Sequence, residues 1–292
     1  AGLLALLSAA SISWTAWGTR STISSLPAPP EGPGVSISES LVRVFIDMRS
    51  ALKNLTFRWL FAGTLSLYVV VGTNATLDLY ILTYFWEFDA ADVFYVIIAY
   101  PVGVLLGVPF SPLVIGRWGK KAALTVSTAM WGFWQMLPIT LRLIGEFPEN
   151  GDALLVPLLV GIKIFQGLWT VQGDVAFGAL MADIVDEHEL ETSRRQEGVF
   201  FAASSTSAKA TVGLSSMLGG LALEIISWPA GSHIRTAADV PAETIVKLGI
   251  VYGPLIASFT LFCIWCFQRV RLTRERHAEI LVELAERRAR KE

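Results

Sequence analysis

Polar residues recur at helical spacing inside one otherwise apolar stretch of this sequence. Their separation of three or four positions places them on one face of a helix, and Phe177 continues that face. A charge inside a membrane helix costs at least about 2.5–3.5 kcal/mol, which favours a functional reason for it. The stripe therefore predicts a water-filled cavity or a polar partner helix, and hydrogen bonding that only holds the bundle together is the alternative. Its members are Lys163, Gln166, Thr170 and Asp174.

A further charge lies near the middle of the next apolar stretch. Lys209 follows Ser205 by one helical turn, and Gly213 comes one turn later. Small and hydroxylated neighbours favour close packing around a polar site. We therefore expect Lys209 to belong to a binding site, and a lysine that merely joins two helices is the alternative.

Asn74 and Asp78 are one turn apart in an earlier apolar stretch, and aromatic residues follow them. Two interpretations stay open for Asp78, a binding role and a structural one. Rings such as Tyr80 and Tyr84 can stack on sugars, but Tyr and Trp also gather at membrane interfaces. For Trp86 we favour the interface.

Motifs of enzymes and cofactor sites are missing from the sequence. The three histidines, His188, His233 and His277, are scattered, and neither a P-loop nor a Gly-rich dinucleotide turn occurs. We therefore expect no enzyme activity, no metal centre and no tightly bound cofactor.

The composition predicts that these polar groups are embedded in a membrane protein. Hydrophobic residues make up 53% of the 292 residues and charged residues only 16%, against about 25% charged in soluble domains. The net charge of −2 argues against a nucleic-acid binder. The two cysteines lie within an apolar run, which argues against a disulfide scaffold.

Seven apolar stretches are long enough to be membrane helices. If the chain crosses the membrane at each stretch, the loops on one side contain 18 Lys and Arg residues and those on the other side contain 3. Because Lys and Arg are concentrated on the cytoplasmic side, the side with 18, which includes the C-terminus, is predicted to be cytoplasmic. The chain opens without Met inside an apolar stretch, so we expect a chain truncated within a helix, and an intact seven-helix protein is the alternative. The predicted spans are 1–19, 59–86, 93–116, 122–141, 153–182, 198–223 and 248–268.

Two further segments are expected on the cytoplasmic side. The stretch 21–38 is rich in Pro, Gly and Ser, which is typical of a linker. An amphipathic helix is predicted after it, from Leu41 to Leu55. The tail 273–292 is expected to be a charged helix, solvated or lying on the membrane surface.

The segment from Leu180 to Gly198 reads LMADIVDEHELETSRRQEG, and Lys209 follows eleven residues later. This run resembles the cytoplasmic loop and helix 11 of the glycoside–pentoside–hexuronide:cation symporters, the melibiose-permease-like branch of the major facilitator superfamily. Two weaker similarities agree. Residues 79–86 resemble the end of that family's helix 7, and residues 116–121 are similar to the basic loop between helices 8 and 9 of the major facilitator superfamily.

The resemblance implies an all-α membrane protein with a major facilitator-type helical bundle. About seven helices would be present, matching the end of helix 6 and helices 7 to 12 of a twelve-helix parent. It implies a secondary active transporter in the cell (inner) membrane that moves a sugar or glycoside with Na⁺ or H⁺ by alternating access. The partners would be the sugar, the bilayer and the missing first half. The implied divisions are 1–19 (helix end), 20–56 (linker), 57–270 (six-helix bundle) and 271–292 (tail).

The resemblance also implies roles for individual residues. Lys209 matches a lysine beside the shared cation and sugar site, the carboxylates of which belong mainly to the first half. Ser204, Ser205 and Phe177 fall where the family has sugar contacts, although two serines replace Gln-Thr here, which leaves the sugar open.

A cytoplasmic gate is the expected role of the charged loop, and a solvated loop is the alternative. Exposed ion pairs are worth only about 0–1 kcal/mol each, but a network remade between states can bias their equilibrium. Its acids would be Asp183, Asp186 and Glu189, and its bases Arg117, Lys120 or Arg195.

Two rival functions remain open. One is a transporter of the same fold that moves lipids or drug-like molecules. The other is a seven-helix receptor or photosensor, but the last span lacks the lysine that a retinal Schiff base would require.

Overall fold

The computed structural model describes residues 2–21, 52–193, 197–229, 231, 234 and 236–290. It divides into two units, Ala1–Arg43 and Val44–Glu292. In the first unit, α1 (Gly2–Gly18) carries Trp14 and Trp17, which are 74% and 70% exposed. Most of the predicted linker and of its amphipathic helix lies outside the described residues.

The second unit is helical throughout its described elements, and no strand occurs among those residues. Short 3-10 turns and two π-helical stretches, Ile81–Phe85 and Val251–Leu255, interrupt the regular helices. The helices are α2 (Leu55–Tyr80), α3 (Ala90–Gly107), α4 (Ser111–Trp118), α5 (Lys120–Leu143), α6 (Leu155–Thr192), α7 (Glu197–Ile225), α8 (Ala242–Ile250), α9 (Ile256–Ser258), α10 (Thr260–Gln268) and α11 (Arg274–Ala289).

Local sequence explains where several helices begin and break. The Asn54 side chain accepts from the Phe57 amide to cap α2, and Asp89 caps α3 in the same way. A 3-10 turn at Val108–Phe110 separates α3 from α4. Pro109 and Pro112 stand at this break, and proline cannot donate the backbone bond that a continuous helix needs.

Within the described residues, four helical stretches are long and apolar enough to cross a membrane. The predicted spans 122–141 and 198–223 form α5 and α7, helices of 24 and 29 residues. Both are long enough, but they are not among the four stretches that are also apolar enough. The four stretches are Leu55–Phe85, Ala90–Trp118, Leu155–Thr192 and Ala242–Gln268.

The bundle is held together by close helix pairs. α6 packs against α3 and α5, whereas α2 packs against α7 and α10. Glycines allow α3 and α6 to touch, because a Cβ at Gly103 would lie 2.1 Å from the Ile164 carbonyl oxygen and one at Gly167 2.1 Å from that of Tyr100. Small residues bring helices together in this way in membranes.

The two ends of the bundle are marked by polar contacts. At one end, the Asn54 side chain donates to the Glu187 carboxylate at 3.1 Å. Glu187 is one helical turn from Asp183, and we call this the Asp183 end. At the other, Asn150 donates to the Phe85 carbonyl at 3.1 Å, and we call it the Phe85 end. Each end has its own apolar cluster, one including Met181 and the other Leu77.

The charged segment after Ala182 is a helix, whereas the sequence suggested a loop. α6 continues to Thr192, and its last turns are covered by α11. Ile280 and Leu284 of α11 are buried, 0% and 5% exposed, in the apolar cluster that also contains Ile184. This packing differs from the predicted solvated or membrane-surface tail, because the apolar face of α11 has a protein partner.

Candidate functional site

A cavity of about 230 Å³ lies among α2, α3, α5 and α6, and we call it the central cavity. Aromatic and apolar side chains form much of its wall, including Leu67, Trp131 and Phe177. Polar groups converge on the same space, as in binding pockets for small molecules. They are Thr64, Tyr68, Tyr100, Ser127, Thr128, Thr170 and Asp174.

The predicted polar stripe is divided between this cavity and its surroundings. Thr170, Asp174 and Phe177 line the cavity. Gln166 is buried behind it, 2% exposed, and Lys163 is half-buried and is not part of the lining. The half of the stripe nearer Asp183 therefore lines the central cavity. Its middle, at Gln166, forms a polar contact with a neighbouring helix.

Asp174 is the charged group of the central cavity. Asp174 is exposed, and it lines the cavity together with Tyr68 and Tyr100. The Tyr100 hydroxyl donates to the Thr170 hydroxyl at 3.1 Å, and Thr170 donates to the Gln166 carbonyl at 2.8 Å. This arrangement offers a carboxylate and hydroxyls beside aromatic faces, which is a suitable surface for a polyhydroxylated ligand.

A buried hydroxyl at the wall of the same cavity lacks an internal partner. Thr64 is 6% exposed, and its Oγ1 has no hydrogen-bond partner within the described part of the chain. Buried polar atoms are normally paired by protein or by water. The Thr64 hydroxyl can therefore form a hydrogen bond with a ligand in the cavity.

A buried polar chain connects the central cavity with Asp78. Gln166 Nε2 donates to Gln135 Oε1 at 3.0 Å, and Gln135 Nε2 donates to the Tyr252 carbonyl at 3.4 Å. Asn74 donates to the same carbonyl at 3.4 Å, and the Tyr252 hydroxyl donates to the Asp78 carboxylate. Asn74 and Asp78 thus join α2 to the last membrane-spanning helix and do not line the central cavity.

The α7 residues are placed differently from one another. Ser204 is buried, 8% exposed, and interacts with Tyr68, so it lies next to the cavity wall. Lys209 and Ser205 are exposed on α7 and are not among the cavity-lining residues. Lys209 therefore does not line the same cavity as Asp174.

The expected gate residues meet at the Asp183 end, where α11 contributes partners that the sequence did not suggest. Lys120 Nζ lies 2.7 Å from both Asp183 carboxylate oxygens. His277 Nε2 lies 3.3 Å from Asp183 Oδ1 and 3.1 Å from Asp186 Oδ2. Glu189 pairs with Arg288 at 3.0 Å.

The remaining predicted gate bases have other positions. Arg117 is exposed and forms no ion pair with a described residue, whereas Arg195 lies outside the described residues. Lys121, which was not predicted, donates to the Gln268 and Val270 carbonyls at 2.8 Å and so fixes the end of α10. Partial burial lowers the pKa of Lys121.

Sequence reasoning missed Tyr68, Tyr100, Gln135 and Tyr252. Each lies in an apolar stretch, and the side chains that it contacts belong to other helices, so the spacing within its own helix did not mark it. Gln172 was missed for the same reason. It donates to the Gly107 carbonyl at 2.8 Å, where α3 ends before the prolines.

No group of three or more metal-ligating side chains occurs among the described residues. The fold and the central cavity define a multi-pass, all-helical membrane protein with a polar site inside its bundle. The chain matches the family described as MFS/sugar transport protein over residues 1–274, and it belongs to that family. This confirms the family expected from the Leu180–Gly198 segment.

A curated relative gives a second comparison. The chain is 28% identical over 184 residues to a Bacillus subtilis (strain 168) protein named uncharacterized symporter YjmB. The match covers 61% of this chain and 36% of the relative, so the chain spans only about a third of that protein's length.

Proposed function

We propose that this chain forms the second half of a cation-coupled sugar or glycoside symporter that works by alternating access. The observation that carries the proposal is Asp174, a carboxylate that borders a cavity with Tyr100 and Thr170 inside a membrane-spanning bundle. Membership of a sugar transport family supports a sugar as substrate. The name of the similar Bacillus subtilis protein supports symport.

The sugar would bind with its hydroxyl groups on Asp174, Tyr100 and Thr170 and its apolar face against Phe177 or Trp131. All of these residues line the central cavity. A carboxylate accepts hydrogen bonds from two sugar hydroxyls, which a purely apolar cavity cannot offer. Ser204 would contribute through Tyr68.

Lys209 would act in coupling from the exposed face of α7. In the proposed twelve-helix protein, this face meets the first half, which would supply the carboxylates that hold Na⁺ or H⁺. The cation is transported and is not a resident cofactor. Such a two-half arrangement with a site near the membrane centre is typical of secondary transporters.

The pairs at the Asp183 end would form the cytoplasmic gate. Lys120 joins α5 to α6 through Asp183, and His277 joins α11 to the same carboxylate. Opening the cytoplasmic side would require these helix ends to separate and the pairs to break. The distribution of loop charges supports a cell-membrane protein with this end, and the C-terminus, in the cytoplasm.

The test is uptake of labelled glycosides by proteoliposomes that contain the proposed twelve-helix transporter, under imposed Na⁺ or H⁺ gradients. A hydrogen bond to a charged group is worth roughly 1.5–3 kcal/mol, so Asp174→Asn should raise KM at least about tenfold. The control is Asp152→Asn, because Asp152 is exposed, lies outside the cavity and accepts only from the Leu154 amide in the turn before α6. Absence of glycoside accumulation under either gradient would contradict sugar symport, and accumulation of a lipid or drug instead would favour the rival transporter.

A further inference from the structure

A second cavity, of about 390 Å³, lies near the Phe85 end between the end of α2 and the segment that follows α7. Its volume is in the range of roughly 300–1,000 Å³ that small-molecule sites occupy. We call it the outer aromatic cavity, and its main lining residues are Tyr80, Tyr84, Leu223, Glu224 and Trp228. Tyr80 is twelve residues from Tyr68 of the central cavity, which at 1.5 Å per residue separates the two sites by roughly 18 Å.

Three aromatic rings meet at this cavity. The Tyr80 and Tyr84 rings have centroids 6.3 Å apart and planes 30° apart. The Trp228 ring contacts both, at 5.3 Å from Tyr80 and 5.0 Å from Tyr84, with interplanar angles of 89° and 71°. The rings therefore present faces in different directions around one space, and the exposed Glu224 carboxylate stands beside them.

The backbone after α7 is shaped so that Trp228 reaches the tyrosines. Ser227 has φ 58°, a left-handed conformation that glycine adopts more readily. The Trp228 amide donates to the Leu223 carbonyl and the Ser227 amide to the Glu224 carbonyl, both at 2.9 Å. These two bonds form a helix-ending turn that folds Trp228 back toward α2.

These rings differ from aromatic side chains that anchor a protein at a membrane interface. Interfacial residues extend into the headgroup region, and exposed rings such as Phe94 and Tyr95, at 62% and 56%, fit that description. Tyr80, Tyr84 and Trp228 are less exposed than these and turn toward one another around the cavity. The interfacial explanation therefore does not account for their arrangement.

We propose that the outer aromatic cavity is an entry subsite that captures the pyranose ring of a sugar before it reaches the central cavity. The inference rests on the proposed function. The C–H face of a pyranose packs on aromatic rings, while its hydroxyls donate to the Glu224 carboxylate and pair with the tyrosine hydroxyls. The subsite is separate from the central cavity where the sugar finally binds, so it governs capture at low sugar concentration and not the maximal rate.

The first test is glycoside uptake by the proposed twelve-helix transporter with Trp228→Ala, Trp228→Phe and Tyr84→Ala. We expect both alanine variants to raise KM about tenfold at an unchanged maximal rate, and Trp228→Phe to restore most of the affinity. Tyr95→Ala is the matched control, because Tyr95 is an exposed tyrosine of α3 outside the cavity. Wild-type KM in the alanine variants would overturn the subsite while sugar transport stands. Absence of sugar uptake by the wild type would overturn the proposed function, and this inference with it.

A second measurement reports occupancy directly and does not depend on transport. Tyr84→Cys introduces a thiol at the cavity, whereas the native Cys263 and Cys266 are buried. We expect a membrane-impermeant maleimide to label this variant, and methyl glucoside to slow the labelling at least about threefold. Protection by choline but not by methyl glucoside would identify a site for organic cations and overturn the sugar subsite. Unchanged labelling with both would overturn it as well.

Discussion

The hydroxyl of Tyr252 donates to the carboxylate of Asp78, although the two residues are 174 positions apart in the chain. Tyr252 is buried, 4% exposed, and its backbone carbonyl also accepts from Asn74 and Gln135. One residue of a π-helical stretch therefore ties the last membrane-spanning helix to both α2 and α5.

Tyr252→Phe should destabilise the protein while leaving the backbone contacts intact. The substitution removes only the hydroxyl, and a hydrogen bond to a charged group contributes roughly 1.5–3 kcal/mol. We expect a lower thermal unfolding midpoint of the detergent-solubilised protein. Asp78→Asn keeps an acceptor for the hydroxyl and should lose less stability. An unchanged midpoint for Tyr252→Phe would mean that the contact contributes nothing to the fold.

Gly167→Ala should separate α3 from α6. A Cβ at this position would lie 2.1 Å from the Tyr100 carbonyl oxygen, and backbone cannot move aside cheaply. Overpacking of this kind costs roughly 1–3 kcal/mol, so the unfolding midpoint should fall. Gly161→Ala in the same helix is the control, because a Cβ added there would have no neighbour within 4 Å. Equal midpoints for the two variants would contradict the close crossing.

Removal of the apolar contact between α11 and α6 should release the tail. Ile280 is 0% exposed, and truncation of such a side chain costs roughly 2–5 kcal/mol where the site cannot collapse. We expect Ile280→Ala to make the segment after Thr273 cleavable by trypsin at lower protease concentration. Leu281→Ala, at a neighbouring side chain that is 47% exposed, should leave the cleavage pattern unchanged. If both variants are cleaved alike, the tail is not held by this face.

Lys209→Ala should abolish uphill accumulation of sugar by the proposed twelve-helix transporter. If Lys209 couples the cation to the sugar, its loss leaves the cation gradient unable to drive sugar movement. Uptake under an imposed Na⁺ or H⁺ gradient measures this effect. Lys247→Ala is the control, because Lys247 forms an exposed pair with Glu243 within α8, at 2.7 Å. Accumulation at the wild-type level would remove Lys209 from the coupling mechanism.

Much of the helical bundle could be predicted from the sequence, because an apolar stretch long enough to cross a membrane must satisfy its own backbone hydrogen bonds and therefore forms a helix. The stripe through Thr170 and Asp174 was also predictable, since helical periodicity places both on one face. The partners of that stripe were not predictable, because Tyr100 and Gln135 belong to other helices and pairing between helices leaves no periodic trace. The position of α11 was missed for a related reason. Ile280 and Leu284 indicate an apolar face, but nothing in the sequence indicates which helix packs against that face.

The π-helical stretch at Ile81–Phe85 predicts where alignments of this protein with its relatives will contain a one-residue gap. A π turn holds one residue more than an α turn, and one residue corresponds to about 100° of rotation around a helix axis. A homologue with a single deletion there would form an uninterrupted α-helix and present Tyr84 in a different direction. Gaps of one position in this stretch would therefore mark lineages in which the outer aromatic cavity is lined by other side chains.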